Sequence, residues 1–583
     1  MLLFDVGSVC GLIVAYRWRA MLSVASIVAM LCCGLSAACA ASRPNVILIM
    51  TDDQGWGDVG FHGNPVLNTP NLDALAKQSL ELTRFHVCPV CSPTRASLMT
   101  GRYNYRTGAI DTYLGRSTMV AEEVTLAEMF GEAGYHTGIF GKWHLGDNYP
   151  SRPNDQGFEE SLVHRGGGMV QPADPPGGSY FDPILVHNGQ NEQTRGYCTD
   201  VFTDAAIRFV ERCGDEPFFV YLPYNCPHTP LEVPESYLER YQNKGLNDAT
   251  ARIYGMVANI DDNVGKLLAR LATLELDDNT IVIFITDNGP QQDRYNGPLR
   301  QRKGSVYDGG IRVPCLIRWP GHFEAGATND QVAAHIDLAP TLLAVCGIET
   351  PQGVRFDGVN LLDVLTGKQE RLDDRYLFFQ WHRGDEPVRY RACAVRGPRF
   401  KLLQAEGRGP KSDFSPRWEL FDVQADPGES TNLAEKHPDV VKKMKAAYDR
   451  WFDDVSATRG YPVPRILAGT KHENPVTLTR QDWRGPQADW GKLGLGHWDV
   501  DFTAGRYDVT VRMPALEQAS PVTLQIGQIE KTAPAEAGEE RVVFRDVEIP
   551  AGTQRVAAVV THDGKQVGAH YVDLDAAATN RAD

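Results

Sequence analysis

The chain has 583 residues, 42% hydrophobic and 23% charged, with 58 basic against 74 acidic side chains and a formal net charge of −16. Those proportions describe an ordinary globular interior, divided among more than one packed unit because single cores stop growing at roughly 250–300 residues. They exclude nucleic acid as a partner, since an acidic surface repels a polyanion, while leaving room for local basic pockets.

The first forty residues read as an export address. Arg17 and Arg19 precede an apolar run from Met21 to Leu35, and Ala38-Cys39-Ala40 supplies a small-residue cleavage signal, so a mature start near Ala41 is expected. The alternative, an N-terminal membrane anchor, needs ~20 apolar residues, more than the run after Arg19 offers. No stable membrane span is expected, and the expected location is periplasmic or extracellular. Of the 12 cysteines, Cys10, Cys32, Cys33 and Cys39 fall in this leader. The remaining eight are scattered, a poor disulfide framework, and are expected mostly as buried free thiols. The chain contains no Asn-x-Ser/Thr acceptor site, which favours a bacterial exported protein.

Short Val-, Ile- and Phe-rich runs then alternate with helical patterns, the signature of a mostly parallel sheet wrapped by helices. Strands are predicted at Asn45 to Met50, His136 to Phe140, Phe218 to Leu222 and Thr280 to Ile285. Helices are predicted at Leu72 to Leu80, Asp200 to Glu211 and Ala251 to Leu274. Ligands of such sheets bind beyond the carboxyl ends of the strands. Here those ends read Thr51-Asp52-Asp53, Gly141-Lys142-Trp143-His144, Pro227-His228 and Thr286-Asp287-Asn288-Gly289. Carboxylates, an amide, histidines and a lysine at four strand ends are the chemistry of an anion held by a metal and cations.

After about residue 370 the pattern turns to short antiparallel strands at Tyr376 to Phe379, Arg391 to Val395 and Phe400 to Leu403, closed by a helix from Pro438 to Phe452. From Thr477 the alternation is cleaner, as in Tyr507, Val509 and Val511 or Val542, Phe544, Val547 and Ile549. The expected partition is a signal peptide (1–40), a catalytic α/β domain (41–370), a smaller α+β subdomain (371–470) and an appended β-sandwich-like domain (475–583). The appended domain is expected to be dispensable for the chemical step, with Trp483, Trp490 and Trp498 serving packing rather than sugar binding.

Cys91-Ser92-Pro93-Thr94-Arg95, running on to Thr100-Gly101, is the most specific signal. Cys88-Pro89-Val90-Cys91 also reads as a redox pair or half a zinc site, but a zinc site would need a second close pair, and the chain has none. Asp52-Asp53 alone is a turn or cap and Asp287-Asn288-Gly289 a tight turn. Together at strand ends they are hard oxygen ligands suited to Ca²⁺ or Mg²⁺.

The Cys91 pentapeptide resembles the maturation signature of the formylglycine-dependent sulfatases of the alkaline phosphatase superfamily, with Thr94 where Ser is more usual and Met99 where Leu is more usual. Gly141 to Gly146, Pro227 to Pro230, Arg302 to Ser305, Val306 to Pro314 and His335 to Thr341 also look like that family, in its order, so that the likeness covers residues 43 to 450. The resemblance implies an alkaline-phosphatase-like mixed sheet flanked by helices. It implies that a maturation enzyme oxidises Cys91 to formylglycine, whose hydrate is the nucleophile, and that Asp52, Asp53, Asp287, Asn288 and the modified residue 91 hold one divalent cation, calcium ahead of magnesium. Arg95 and Lys142 are expected to orient the hydrate, and Lys142 and Lys303 to hold the sulfate oxygens. His144 is the expected base for collapse of the hydrate and His228 the donor nearest the leaving oxygen, two roles that could be exchanged. Export and large loops point to a sulfated carbohydrate as substrate, with His164, Arg165, His382 and Arg383 as candidate contacts to an acidic sugar. The alternatives are a phosphodiesterase or phosphonate monoester hydrolase of the same superfamily, and a non-catalytic polysaccharide-binding relative, against which the complete set of ligands and nucleophile counts.

Overall fold

Asn45–Thr51 is apolar between its two polar ends, as suits a strand covered on both faces, and every one of its residues is buried. Ile47 and Ile49 enter one core layer while Val46, Leu48 and Met50 enter the other, the two-residue period of a strand. It is the central strand of a ten-stranded sheet in a computed structural model that describes residues 43–175, 177–409, 415–562 and 564–577. The predicted leader lies outside the described residues.

Phe218–Pro223 and Thr280–Thr286 pair with this strand in parallel on its two sides, and His136–Lys142 extends the parallel order beyond Phe218–Pro223. Cys315–Arg318 adds an antiparallel neighbour, so the sheet is mixed. Cys198–Cys213 and Asp248–Thr273 cover one face with their apolar sides, and Cys91–Thr100 and Leu338–Val345 cover the other. The helix expected to reach Leu80 spans Pro70–Gln78, with proline in its first turn. Leu80 instead opens the short strand Leu80–Leu82, which pairs with Cys315–Arg318. Among the described residues no helix is long and apolar enough to cross a membrane.

Leu377–Gln380, Cys393–Arg396, Phe400–Gln404 and Glu419–Asp422 form an antiparallel sheet against which Pro438–Ser456 packs Tyr448 and Trp451. A buried ion cluster ties this sheet to the short helix Asp308–Ile311 that leads into Cys315–Arg318. Lys401 Nζ lies 2.6 Å from Asp308 Oδ1 and 2.8 Å from Glu429 Oε1, all three groups almost fully shielded from water.

The C-terminal strands build a seven-stranded and a four-stranded sheet that share one core, including Trp483 and Trp498. The inward positions Val542, Phe544, Val547 and Ile549 break strict alternation after Phe544. A bulge accounts for this: Val509 faces Phe544 while Tyr507 faces Val547, so Arg545 and Asp546 oppose the single residue Asp508, and Asp546 takes φ +52°. The seven-stranded sheet already begins at Ile466–Ala468, ahead of the expected start at 475. The described residues from Asn45 onward form one compact unit. All eight cysteines in the described residues are buried and unbridged, as their scatter leads one to expect.

Replacing Lys401 with Met would strand two buried carboxylates. It is expected to lower the unfolding free energy by about 3–5 kcal/mol, measured from the denaturant midpoint. An unchanged midpoint would show that the cluster contributes nothing to the join.

Candidate active site

Three of the four predicted strand ends are knitted together by main-chain bonds. Asp52 N donates to Cys226 O and Asp287 N to Thr51 O, which brings both carboxylates to one point above the sheet. Gly289 is needed there because a Cβ would sit 1.9 Å from the Gly309 carbonyl oxygen. Cys91 is the first residue of the helix Cys91–Thr100, which is buried along its whole length. The Thr94 hydroxyl ties that helix to the Asp287 carbonyl at 2.8 Å.

All ten predicted site residues converge here. Lys142 Nζ pairs with Asp52 Oδ2 in full burial, and Lys303 Nζ lies 2.5 Å from Asp53 Oδ1. Asn288 Nδ2 donates to Asp53 Oδ1 at 2.8 Å. Arg95 spans Asp287 Oδ2 and the Lys142 carbonyl, 2.8 Å from each, so its visible contacts hold the carboxylate and the lysine strand. One group of potential ligand atoms comprises Asp52, Asp53 and His228, and another Asp52, Cys91 and Asp287, each within 4.8 Å.

This acidic nest fits a hard cation. Asp52 Oδ1, Asp53 Oδ2 and Asn288 Oδ1 are buried acceptors without a hydrogen-bond partner in the protein, and leaving such atoms unsatisfied is costly. Burial, then the neighbouring Asp52 charge, pushes Asp287 up to about 7. Burial also works against the ionised Asp53, but Lys303 and His228 outweigh it and hold that carboxyl well below its usual range.

The histidines have defined tautomers because each faces a carbonyl that can only accept. His144 Nε2–H donates to Thr112 O at 2.9 Å, leaving its Nδ1 lone pair 3.5 Å from Cys91 Sγ. His228 Nδ1–H donates to Thr229 O at 2.7 Å, leaving Nε2 3.7 Å from Asp53 Oδ2. Burial, followed by the Lys142 charge, keeps His144 well below its ordinary value. Burial brings His228 down to about 3 despite the pull of Asp53. Gly167 packs on His144, and a Cβ there would come within 2.7 Å of the ring.

Cys91, His144, His228 and Lys303 form the floor of a cavity of about 660 Å³. Of the four predicted sugar contacts only Arg383 lines it. His164 and His382 are committed to the carbonyls of Arg165 and Arg383, and Arg165 borders a separate pocket. Arg408 and Trp381 are lining residues without a local motif to reveal them, and Trp490, expected to serve packing with Trp483 and Trp498, lines the cavity as well and is left out of the core those two share. Asp58 and Arg294 were equally unmarked: Arg294 Nη2 binds Asp58 and donates to Asp53 O at 2.7 Å, pinning the loop that carries the carboxylates.

The C-terminal sheets reach this site. Gln481 Nε2 donates to Thr112 O at 3.0 Å and to Ser117 Oγ at 2.9 Å, so the carbonyl that orients His144 is itself held from the far end of the chain. That contact argues against the expectation that everything after Thr477 is dispensable.

A mixed α/β sheet with carboxylates and lysines gathered at its strand ends beside a helix-borne cysteine is equipped to bind an anionic group and to stabilise charge that develops on it. A family profile described as Sulfatase matches residues 44–348, and one described as N-sulphoglucosamine sulphohydrolase, C-terminal, matches residues 301–452. Human N-acetylgalactosamine-6-sulfatase is 34% identical over 391 residues, covering 60% of this chain and 70% of that protein. Human arylsulfatase A is 34% identical over 467 residues, covering 70% and 88%. The solved structure of Ps i-CgsB in complex with k-i-k-neocarrahexaose superposes with a TM-score of 0.65 at 30% identity, covering 72% of this chain and 95% of the other. The chain belongs to the sulfatase family, and its class is sulfuric ester hydrolase.

Removing residues from Thr477 onward is expected to abolish turnover of a small aryl sulfate, and Gln481→Ala to lower kcat by ~10- to 10²-fold through misplacement of His144. Steady-state assays on soluble, folded protein check both. Retention of wild-type rates by the truncated chain would restore the two-part reading.

Proposed function

We propose that this protein hydrolyses a sulfate ester on a carbohydrate, using a formylglycine derived from Cys91 and one divalent cation, calcium ahead of magnesium. The observation that supports this best is the convergence of three partnerless acceptors, Asp52 Oδ1, Asp53 Oδ2 and Asn288 Oδ1, beside the Cys91 helix end. Formylglycine would supply, as its hydrate, two hydroxyls on one carbon: one to take the sulfuryl group as the alcohol leaves, the other to lose a proton and expel sulfate. Asp52, Asp53, Asp287, Asn288 and residue 91 would hold the cation, which supplies positive charge for the sulfate oxygens.

Lys142 and Lys303 hold the remaining sulfate charge, and Arg95 acts on the hydrate by fixing Asp287 and the Lys142 backbone. His144 takes the proton at Nδ1, which its Thr112 contact keeps as a lone pair. His228 donates from Nε2 to the leaving oxygen. It must first be protonated, and the negative charge of a bound sulfate ester favours that. The N-acetylgalactosamine-6-sulfatase and neocarrahexaose named for the relatives support a carbohydrate substrate. A formylglycine-generating enzyme is the implied maturation partner, and the leader implies export. In this reading residues 41–370 carry the chemistry, residues 371–470 complete the fold around it, and the strands after 475 serve the pocket.

Peptide mass spectrometry of protein made with a formylglycine-generating enzyme is expected to show an aldehyde in place of the thiol at residue 91. Cys91→Ala should lower turnover by more than ~10³-fold. Full activity with unmodified cysteine would remove the proposal.

Replacing Asp52, Asp53, Asp287 or Asn288 singly with Ala is expected to reduce bound calcium and turnover together, by at least ~10- to 100-fold. Elemental analysis beside the assay reads both. Undiminished turnover after the cation is stripped would exclude the arrangement.

A further inference from the structure

Above the floor, the cavity continues along a wall that the chemistry leaves unused. Arg383, Arg408, Trp381, Trp490 and Tyr113 line it. We propose that this wall is a subsite for a second anionic group, a carboxylate or another sulfate, on the sugar residues attached to the cleaved ester. Arg408 and Arg383 are its cationic contacts and Trp490 the platform for a sugar ring. The proposal rests on the sulfatase reading above.

Charge balance singles out Arg408. At this site each other cation has an acidic partner: Lys142 has Asp52, Lys303 has Asp53, Arg95 has Asp287 and Arg383 has Asp111. Among the described residues the Arg408 side chain pairs with no carboxylate, and its one hydrogen bond runs from Nη1 to the Gly304 carbonyl at 3.4 Å, while the Arg408 main-chain carbonyl accepts from Arg383 N. It is exposed at the mouth, next to the loop that carries Lys303. A fixed positive charge at a partly enclosed surface attracts an anion, and a guanidinium binds a carboxylate or sulfate through two parallel N–H groups.

Arg383 is a preset second contact. Its guanidinium carbon stands 4.2 Å over the Tyr113 ring and 5.0 Å from that of Trp381, and Nη1 donates to Asp111 and to Thr112 Oγ1. Those bonds use Nη1 alone, so among the described residues Nε and Nη2 keep their hydrogens for a ligand. Of the three tryptophans in the C-terminal segment, Trp483 and Trp498 are core residues, whereas Trp490 is partly exposed on the cavity. Its Nε1 donates to Arg480 O at 3.1 Å and its ring meets Tyr113 edge-on at 5.4 Å, so it is fixed without a ligand. A cavity of about 660 Å³ far exceeds what a sulfate group fills, and falls within the ~300–1,000 Å³ that encloses a larger organic ligand.

The test uses full-length, formylglycine-bearing enzyme and three matched sulfated disaccharides. One carries a uronate beside the sulfated sugar, one the same sugar with its carboxylate reduced to the alcohol, and one a second sulfate in place of the carboxylate. Wild-type kcat/KM is expected to favour at least one charged substrate over the reduced one by about tenfold or more, and the preferred member identifies the anion. Arg408→Gln should abolish that preference while leaving the reduced substrate within about twofold, and Arg408→Lys should restore part of it. Trp490→Ala should lower all three together. Equal wild-type rates on charged and reduced substrates, or an equal loss on both in Arg408→Gln protein with unchanged thermal stability, would overturn the subsite. If wild-type enzyme with confirmed aldehyde cleaves none of these disaccharides but does release sulfate from an aryl ester, the subsite is wrong and the hydrolase reading stands. If it cleaves neither, both fall.

Discussion

Three carboxylates crowd the ends of two adjacent parallel strands, and much of the surrounding architecture exists to make that tolerable. Asp52 and Asp53 leave one strand and Asp287 its neighbour, and the pairing of Thr51 with Thr286 brings them together from positions more than 230 residues apart. Ionised groups removed from water carry a large penalty unless they are paired. Lys142, Lys303 and Arg95 supply that pairing, each from a different element. The pairing is incomplete, since acceptors on Asp52, Asp53 and Asn288 remain open. A cation that binds only the folded chain would therefore stabilise the fold as well as the site, in proportion to its concentration over its Kd.

Around this nest the backbone takes conformations it would otherwise avoid. Asp53 and His144 both lie in the left-handed region, at φ +62° and +60°. Such geometry persists only where neighbours overdetermine it. Arg294 and Asp58 do so for Asp53, and the Thr112 carbonyl together with the close-packed Gly167 does so for His144. Each histidine consequently presents one chosen nitrogen to the cavity.

The main sheet was legible because its central strands are continuous apolar runs, and the nest was legible because each run ends in an unusual cluster of polar residues. What stayed hidden lacks a local signal. Glu419–Asp422 and Ile466–Ala468 have four and three residues, too few to show a period. The two-residue step across the bulge at Arg545 and Asp546 interrupts an alternation that was otherwise visible. Gln481 and Arg408 are ordinary surface types in sequence, and only tertiary packing brings Arg408 to the cavity of a cysteine more than 300 residues away and Gln481 to the Thr112 carbonyl beside it. The same limit applies to His164 and His382, whose rings are turned to neighbouring carbonyls by a local backbone geometry that residue type does not encode.

Gln481 lies two residues beyond Val476–Thr479, a strand whose one ladder partner among the described residues is Tyr571–Ala576. The strand before Gln481 is therefore held from one side only, and through Gln481 it supplies one of the two donors to the Thr112 carbonyl, the other being His144. Whatever loosens that single ladder would reach the His144 ring without touching any residue that lines the cavity floor, so the orientation of one imidazole depends on the margin of a distant sheet.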